Sequence, residues 1–370
     1  MSKLPIVTLK GSPWDRGQIH GQRLAPQVAE NVALYRERMR HDAGLSDSQI
    51  AERCQFYLDV FSDLDSDYRA AMEGIASGSG QPLLDITMLN ARFELLYSAW
   101  SAAGMERDVD ECTALGVRRA LSSDNTVRIG QNWDWFPGIN GALLRWASNG
   151  TEVLAYTEAG VAGAKIGLNS AGIGLCVNGL SSNLDDWSRG GVPYHLRTSR
   201  ILESPTLNEA IGHASVDPPA CSANYLIGST TGEIVNIESS PAGANRILAD
   251  DSQVLVHANH FVDTDVLQIT QTWHNTPVTT FHRAQRLEKL MAERTQVSND
   301  DIETAFRDHE GGILGLCRHP DLQRPAHLRN HTAFSTVIDL DAGTMNYTQG
   351  PPCESAYTQV ELQALAASAV

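Results

Sequence analysis

The chain has 370 residues, of which 42% are hydrophobic and 19% are charged, and its formal net charge is −16. This composition is typical of a folded globular protein that is long enough to bury a core. The excess of acidic side chains argues against nonspecific binding of nucleic acid and against attachment to an anionic membrane, because both depend on clustered Lys and Arg.

No segment approaches the roughly 18 consecutive apolar residues of a membrane span, and the first residues lack the apolar stretch of a secretory signal. We therefore expect a cytoplasmic protein that binds neither a membrane nor nucleic acid. The cysteines are scattered and form no C-x-x-C pair, so neither a disulfide framework nor a structural zinc site is expected. They are Cys54, Cys112, Cys176, Cys221, Cys317 and Cys353.

Apolar residues recur at helical spacing from position 24 to about 100. The clearest repeat comprises Leu24, Val28, Val32 and Tyr35. A further helix is expected to end at 78–80, where Gly-Ser-Gly is a common C-terminal stop. An apolar helix is predicted at 84–96.

Short β-type runs replace the helical pattern after position 112, and Gly, Asn, Asp and Ser separate them. Two helical stretches interrupt these runs, at about 192–215 and 278–308. The last strand pair is predicted at 332–340 and 344–347. Many strands with clustered helices and no regular βαβ alternation favour an α+β fold.

Six short motifs follow one another along most of the chain. They are GSPWDRGQIHGQ (11–22), MLNAR (88–92), the Glu111-Cys112-Thr113 junction, GQNWDW (130–135), GLNSAGIG (167–174) and VHANH (256–260). Each motif is weak alone, but their order resembles the isopenicillin-N (6-aminopenicillanic acid) acyltransferase family. That family belongs to the N-terminal-nucleophile (Ntn) hydrolases.

The resemblance implies a four-layer αββα sandwich in which helices flank two antiparallel sheets. It also implies a precursor that cleaves itself between Glu111 and Cys112. Residues 1–111 would then form a helical segment that stays in the fold, and residues 112–370 would form the catalytic segment and supply the strands. The two segments would make a heterodimer, with further oligomerisation left open.

Two positions depart from the pattern of the relatives. Glu111 stands where the penicillin enzyme of the family has glycine before the nucleophile. Gln131 stands where the more distant bile-salt and penicillin-V hydrolases carry an arginine. The first change puts a charge beside the bond to be cleaved, and the second requires another source of positive charge.

The resemblance assigns three catalytic positions, with Cys112 as the nucleophile and Asp134 and Asn259 as its helpers. A thiol of pKa near 8.5 is only a few per cent thiolate at neutral pH and needs a base. An α-amine, of pKa about 7.7–8, can be that base, and only a terminal cysteine carries one. Asp134 could position the amine and thiol, and Asn259 could direct its NH₂ at the oxyanion. The alternative for Cys112 is a buried cysteine at the start of a strand.

Four further residues are predicted to bind substrate. Asn178 and Trp187 are expected to line an acyl pocket. Arg318 and Arg329 lie in a His-rich segment that is expected to bind an anionic group, such as a carboxylate or the phosphates of coenzyme A. The alternative for this segment is a solvated surface.

The sequence favours an amidohydrolase that cleaves a small N-acyl compound through an acyl-thioester on Cys112. One alternative is an acyl-CoA-dependent N-acyltransferase, with a coenzyme A thioester as co-substrate. A second is a catalytically silent relative that binds ligands. No cofactor and no metal are predicted, because His257 and His260 lie three apart on a strand end and should point to opposite faces.

Overall fold

Helices dominate the first hundred residues of the computed structural model. The structure describes residues 4–103, 112–248, 254–272, 277–326 and 329–362. A short strand, β1 (Ile6–Thr8), comes first. The helices that follow are α1 (Pro13–Arg23), α2 (Ala25–His41), α3 (Asp47–Leu64), α4 (Ser66–Ser79), α5 (Leu83–Asn90) and α6 (Arg92–Ala103). The helical prediction for this region is confirmed, although the helix expected at 84–96 is divided at Ala91.

Helices α1 and α4 pack with almost no space between their backbones. A Cβ atom on Gly17 would lie 2.0 Å from the carbonyl oxygen of Ala71, and one on Gly74 would lie 2.2 Å from that of Trp14. Only glycine permits such an approach. Helix packing therefore accounts for Gly17 and Gly21 of the motif at 11–22.

Strands dominate the structure after Cys112. They are β2 (Thr113–Val117), β3 (Arg128–Trp135), β4 (Gly141–Ser148), β5 (Thr151–Glu158), β6 (Ile166–Asn169), β7 (Ile173–Gly179), β8 (Ala223–Ser229), β9 (Ile234–Ser240), β10 (Gly243–Leu248), β11 (Leu255–His257), β12 (His331–Asp339), β13 (Thr344–Gln349) and β14 (Thr358–Glu361). Four helices interrupt them, α7 (Tyr194–Leu202), α8 (Leu207–Ser215), α9 (Pro277–Ala292) and α10 (Asn299–Phe306). In the described ranges, none of the helices combines the length and the hydropathy that a bilayer span requires.

Two sheets face each other. Within the described ranges, sheet A has eight strands in the order β1-β4-β5-β6-β7-β8-β9-β10, and sheet B has six in the order β11-β2-β3-β12-β13-β14. Strands β2 and β3 contact β7 across the interface, while α7 and α8 pack on sheet A and α9 and α10 pack on sheet B. These contacts give the four-layer αββα arrangement that was predicted.

One strand pairing differs from the prediction of two antiparallel sheets. Strand β1 pairs in parallel with β4, in the register Ile6↔Leu143, whereas the other pairings between the described strands are antiparallel. The expectation that all strands come from 112–370 is therefore wrong. A strand of three residues is too short to show a periodicity.

A buried ionic cluster joins the helical segment to sheet A. Glu158 on β5 accepts hydrogen bonds from Arg92 on α6, from Lys165 and from the hydroxyl of Tyr35 on α2. Burial pushes the pKa of Glu158 up, but Arg92 and Lys165 outweigh it and hold that pKa at about 2. Removal of one partner of such a pair typically costs about 3–5 kcal/mol. The motif MLNAR, which contains Arg92, thus has a structural role.

Candidate active site

Cys112 lies directly before strand β2, and the residue is 1% exposed. Strand β2 pairs with β3 in the register Thr113↔Asn132. The position before Thr113 is therefore level with Trp133, and Asp134 follows Trp133 along β3. The fold thus brings the predicted nucleophile and the predicted aspartate to the same end of two neighbouring strands.

The guanidinium of Arg283, on α9, connects Cys112 to Asn259. Its Nη1 donates to the carbonyl oxygen of Cys112 (2.6 Å) and to Oγ1 of Thr113 (2.7 Å), and its Nη2 donates to Oδ1 of Asn259 (2.9 Å). The planar fork of an arginine can bind several acceptors at once. Sequence reasoning missed Arg283, because an arginine within a helical run is usually a surface cation.

The contacts of Asn259 give its side-chain amide one orientation. The guanidinium of Arg283 has only donors, so Oδ1 must face it and Nδ2 must face the opposite way. There Nδ2 donates to the carbonyl oxygen of Gly179, at the end of β7 (3.1 Å). The backbone N–H of Asn259 donates to Oγ1 of Thr280 on α9 (2.8 Å). The amide nitrogen that was predicted to bind an oxyanion therefore lies where the two sheets meet.

Asp134 is fully buried at the end of β3. Thr332, its partner in the register of β12, donates from Oγ1 to Oδ1 of Asp134 (2.7 Å). The backbone N–H of Thr332 donates to the carbonyl oxygen of Arg318 (3.1 Å), and the backbone N–H of Arg318 donates to Oγ1 of Thr332 (3.0 Å). Thr332 therefore connects Arg318 to Asp134.

A cavity of about 390 Å³ lies beside Arg318, and Arg329 lines it as well. The fold thus places both predicted arginines in one cavity. The guanidinium of Arg329 donates to the carbonyl oxygens of Arg324 (2.9 Å) and Leu322 (3.0 Å). Arg329 therefore also supports the loop that forms one wall of the cavity.

The VHANH motif holds a buried hydrogen-bonded histidine. Nδ1 of His257 contacts the carbonyl oxygen of Ala258 (2.8 Å), and Nε2 contacts Oε1 of Glu238 (3.0 Å). Burial, with the charges of His257 and Arg283, lowers the pKa of His260 to about 3. The two rings stack 6.2 Å apart because β11 ends at His257, so the expectation that they point to opposite faces is wrong.

Comparison with known families identifies the family of this chain. A family model described as acyl-coenzyme A:6-aminopenicillanic acid acyl-transferase matches residues 121–353, well over half of the chain. The chain belongs to this acyltransferase family. The match includes Asp134 and Asn259, while Cys112 lies just before it.

A curated relative extends the similarity over most of the chain. The acyl-coenzyme A:6-aminopenicillanic-acid-acyltransferase 40 kDa form of Emericella nidulans is 26% identical over 347 residues, which is 90% of this chain and 89% of the relative. The prediction of this family from its motifs is confirmed.

Three solved structures are similar to the chain at lower identity. The conjugated bile acid hydrolase of Clostridium perfringens is 12% identical, covers 68% of this chain and 92% of its own, and has a TM-score of 0.45. The penicillin V acylase of Agrobacterium tumefaciens is 14% identical with coverages of 69% and 87% and a TM-score of 0.42. The Caenorhabditis elegans ortholog of N-acylethanolamine-hydrolyzing acid amidase is 16% identical with coverages of 62% and 92% and a TM-score of 0.43.

The two residues assigned to an acyl pocket have different surroundings in this family member. Asn178 is buried on β7, where it donates to the carbonyl oxygen of His257 (3.4 Å) and accepts from Asn224 (3.1 Å). Trp187 packs edge-on against Phe56 of α3, with ring centroids 5.6 Å apart. Asn178 is thus beside the segment of Asn259, whereas the contacts of Trp187 are with the helical layer. Both binding roles stay predictions.

Gln131, which departs from the arginine that the resemblance would place there, has a structural role. Its Oε1 accepts from the backbone N–H of Val177 (2.9 Å), and its Nε2 donates to the carbonyl oxygen of the same residue. Gln131 thereby connects β3 of sheet B to β7 of sheet A. An arginine could not accept the first of these bonds. Glu111, and with it the predicted cleavage bond, lies outside the described residues.

Proposed function

We propose that the chain is a self-processing Ntn amidohydrolase in which Cys112 attacks the carbonyl carbon of a small N-acyl compound, and we expect it to act in the cytoplasm. The Arg283 bridge carries this proposal, because it joins the backbone of the predicted nucleophile to the amide of Asn259. Asp134 at the end of the neighbouring strand supplies the carboxylate that would hold an α-amine.

Self-processing would start with the thiol of Cys112. Its sulfur attacks the carbonyl carbon of Glu111, the peptide C–N bond breaks as the C–S bond forms, and the thiol proton moves to the departing nitrogen. Water then hydrolyses the thioester and leaves a carboxylate on Glu111. The products are the heterodimer of segments 1–111 and 112–370, which the Glu158 cluster holds together.

Turnover would use the new α-amine as its base. The amine takes the thiol proton, the thiolate attacks the substrate carbonyl, and Nδ2 of Asn259 donates to the oxyanion. The leaving amine departs with the proton from the α-ammonium, which leaves an acyl-thioester on Cys112. A water molecule, deprotonated by the α-amine, then releases the acyl group as a carboxylic acid.

An acyl-CoA-dependent acyltransferase is the second candidate, and the family match favours it. The same thioester would form from a coenzyme A thioester, and an amine would replace water as the acceptor. Arg318 and Arg329 in their shared cavity suit the phosphates of coenzyme A, which would be a co-substrate.

Intact-mass measurement of the purified protein tests the processing step. We expect fragments of about 12 and 28 kDa, since cleavage divides the 370 residues and 40.2 kDa into 111 and 259 residues. Cys112→Ala should remain whole, and Cys54→Ala, which removes a buried thiol from α3, should be cleaved normally. A wild-type chain that stays whole and yet turns over substrate would exclude the free-amine mechanism.

Two incubations separate the candidate reactions. The hydrolase should release acid from an N-acyl amide in water, whereas the transferase should consume acyl-CoA only when an amine is present.

Iodoacetamide labelling tests the third candidate, a silent ligand-binding relative, because a nucleophilic thiol with a lowered pKa is labelled fastest. Fast labelling at Cys112 supports an enzyme, and equal labelling of Cys112 and Cys353 supports the silent relative.

A further inference from the structure

Four potential metal ligands converge beside the cavity that holds Arg318. They are His309, Cys317, His319 and Cys353, and one ligand atom from each lies within 4.8 Å of all the others. The first three follow α10 in the chain, and the fourth follows β13. The family assignment and the proposed reaction use none of them.

Four of the distances between these atoms are close to those of a tetrahedral site. With Zn–S of about 2.3 Å and Zn–N of about 2.05 Å, a tetrahedron separates two sulfurs by about 3.8 Å, two nitrogens by about 3.3 Å, and a sulfur from a nitrogen by about 3.6 Å. The two sulfurs are 3.5 Å apart, and the Nε2 atoms of His309 and His319 are 3.1 Å apart. Nε2 of His319 lies 3.8 Å from Sγ of Cys317 and 3.2 Å from Sγ of Cys353.

A second observation supports a metal rather than a disulfide. Nδ1 of His319 contacts Oε1 of Glu354 at 3.2 Å, which leaves Nε2 to face the cluster. Metal-binding histidines commonly bond a carboxylate through the other ring nitrogen, since this orients the ring. A disulfide would bring the sulfurs of Cys317 and Cys353 to about 2.05 Å, whereas both cysteines are free.

We propose that His309, Cys317, His319 and Cys353 bind one zinc ion. Two thiolates and two imidazoles in tetrahedral array are the donor set that zinc prefers. Binding releases both thiol protons to solvent, and the two thiolates neutralise the dication. The protein fills all four positions, which is typical of a structural site. This proposal replaces the sequence-based expectation that the chain binds no metal.

The zinc would position Arg318, which lies between two of its ligands. Arg318 exchanges two backbone bonds with Thr332, whose hydroxyl donates to Asp134. The ion would therefore hold the loop that forms the cavity wall next to the candidate active site. Zinc binding is independent of the proposed function, whereas its consequence for turnover rests on that function.

Metal content and cobalt substitution test the site. Protein produced with added zinc chloride should contain about one zinc ion per chain, and replacement by cobalt(II) should give the strong absorption of a tetrahedral thiolate complex. Cys353→Ser and His309→Ala should each lower zinc affinity by about tenfold or more. His41→Ala, which removes an exposed histidine from α2, should retain the ion.

Several results would overturn the proposal. The first is a wild-type protein that binds neither zinc nor cobalt. The second is an unchanged zinc affinity in both Cys353→Ser and His309→Ala, and the third is a Cys317–Cys353 disulfide in freshly purified protein. The same measurements on Cys112→Ala separate this proposal from the proposed function. That variant can neither process nor form a thioester, yet it should bind zinc with wild-type affinity.

Discussion

Among single residues, Arg283 shows how a donor-only side chain orients an amide. An asparagine amide can turn over and exchange its oxygen for its nitrogen, and the two ends have opposite hydrogen-bonding character. Because Arg283 binds Oδ1 of Asn259, the NH₂ end is directed towards Gly179 and the junction of the sheets. Arg283 touches the Cys112 carbonyl too, so we regard it as a positioning residue.

Arg283→Gln should therefore slow self-cleavage by about 10²-fold, because loss of one oxyanion donor costs on the order of 10²–10³ in rate. The self-cleavage rate of Arg283→Lys should lie between those of wild type and Arg283→Gln, since an ammonium keeps the charge but lacks the planar fork. Timed intact-mass measurements after synthesis give the rate without a known substrate. Lys289→Gln removes an exposed cation from the same helix and should process at the wild-type rate. A rate for Arg283→Gln within twofold of wild type would contradict the positioning role.

At the scale of elements, the close pairing of α1 and α4 depends on glycines at matched positions. Helix propensity alone would disfavour so many glycines, because each costs about 1 kcal/mol relative to alanine in a helix interior. The close approach of the two backbones explains why they are present. The motif at 11–22 therefore specifies a helix pair, and the candidate catalytic residues come from other segments.

Gly74→Ala should destabilise the protein by about 1–3 kcal/mol or more, since its Cβ would lie 2.2 Å from the carbonyl oxygen of Trp14 and the helices would have to separate. Gly212→Ala in α8 is the matched control, because a Cβ there meets no atom within 4 Å. That change should stabilise by about 0.5–1 kcal/mol. Denaturant unfolding measures both. Equal changes in the free energy of unfolding for Gly74→Ala and Gly212→Ala would show that α1 and α4 are farther apart than described.

For the molecule as a whole, buried charges connect the two predicted segments. Glu158 on sheet A is paired with Arg92 of α6. Two residues further along α6, Glu94 accepts the backbone N–H of Tyr194 on α7 (2.6 Å). Burial raises the pKa of Glu94 to about 7, against the lowering effect of that hydrogen bond and of nearby arginines. The interface therefore contains Glu158 as a carboxylate and Glu94 as a carboxyl group that binds a proton near neutral pH.

Glu94→Gln should reveal this proton in the pH dependence of stability. A raised pKa in the folded state stabilises the protein below the unfolded pKa of about 4.5, and that stability is lost as pH rises through about 7. The amide does not titrate, so the stability of the variant relative to wild type should rise by up to about 3 kcal/mol between pH 4.5 and 8. Denaturant unfolding across this range tests it, with Glu52→Gln at an exposed position of α3 as control. A difference that stays constant with pH would contradict the assignment.

The strands that sequence reasoning found are those with strong local patterns. Strand β12, which is buried along almost all of its length, was expected at 332–340 and lies at His331–Asp339. Strand β13 was expected at 344–347 and lies at Thr344–Gln349. Strands β1 and β10 are two of those that were missed. The first has only three residues, and the second lies at a sheet edge, where its half-exposed side chains show no apolar run.

The order of residues by itself determined the α+β class and the family, and it selected Cys112, Asp134 and Asn259 as candidate site residues, because periodicity and motif order are local properties that survive without a structure. Only the tertiary structure decided which groups contact them. Arg283 reaches Cys112 across 171 residues, and Cys317 meets Cys353 across 36. Contacts over such separations depend on how sheets and helices pack, so no spacing rule along the chain predicts them.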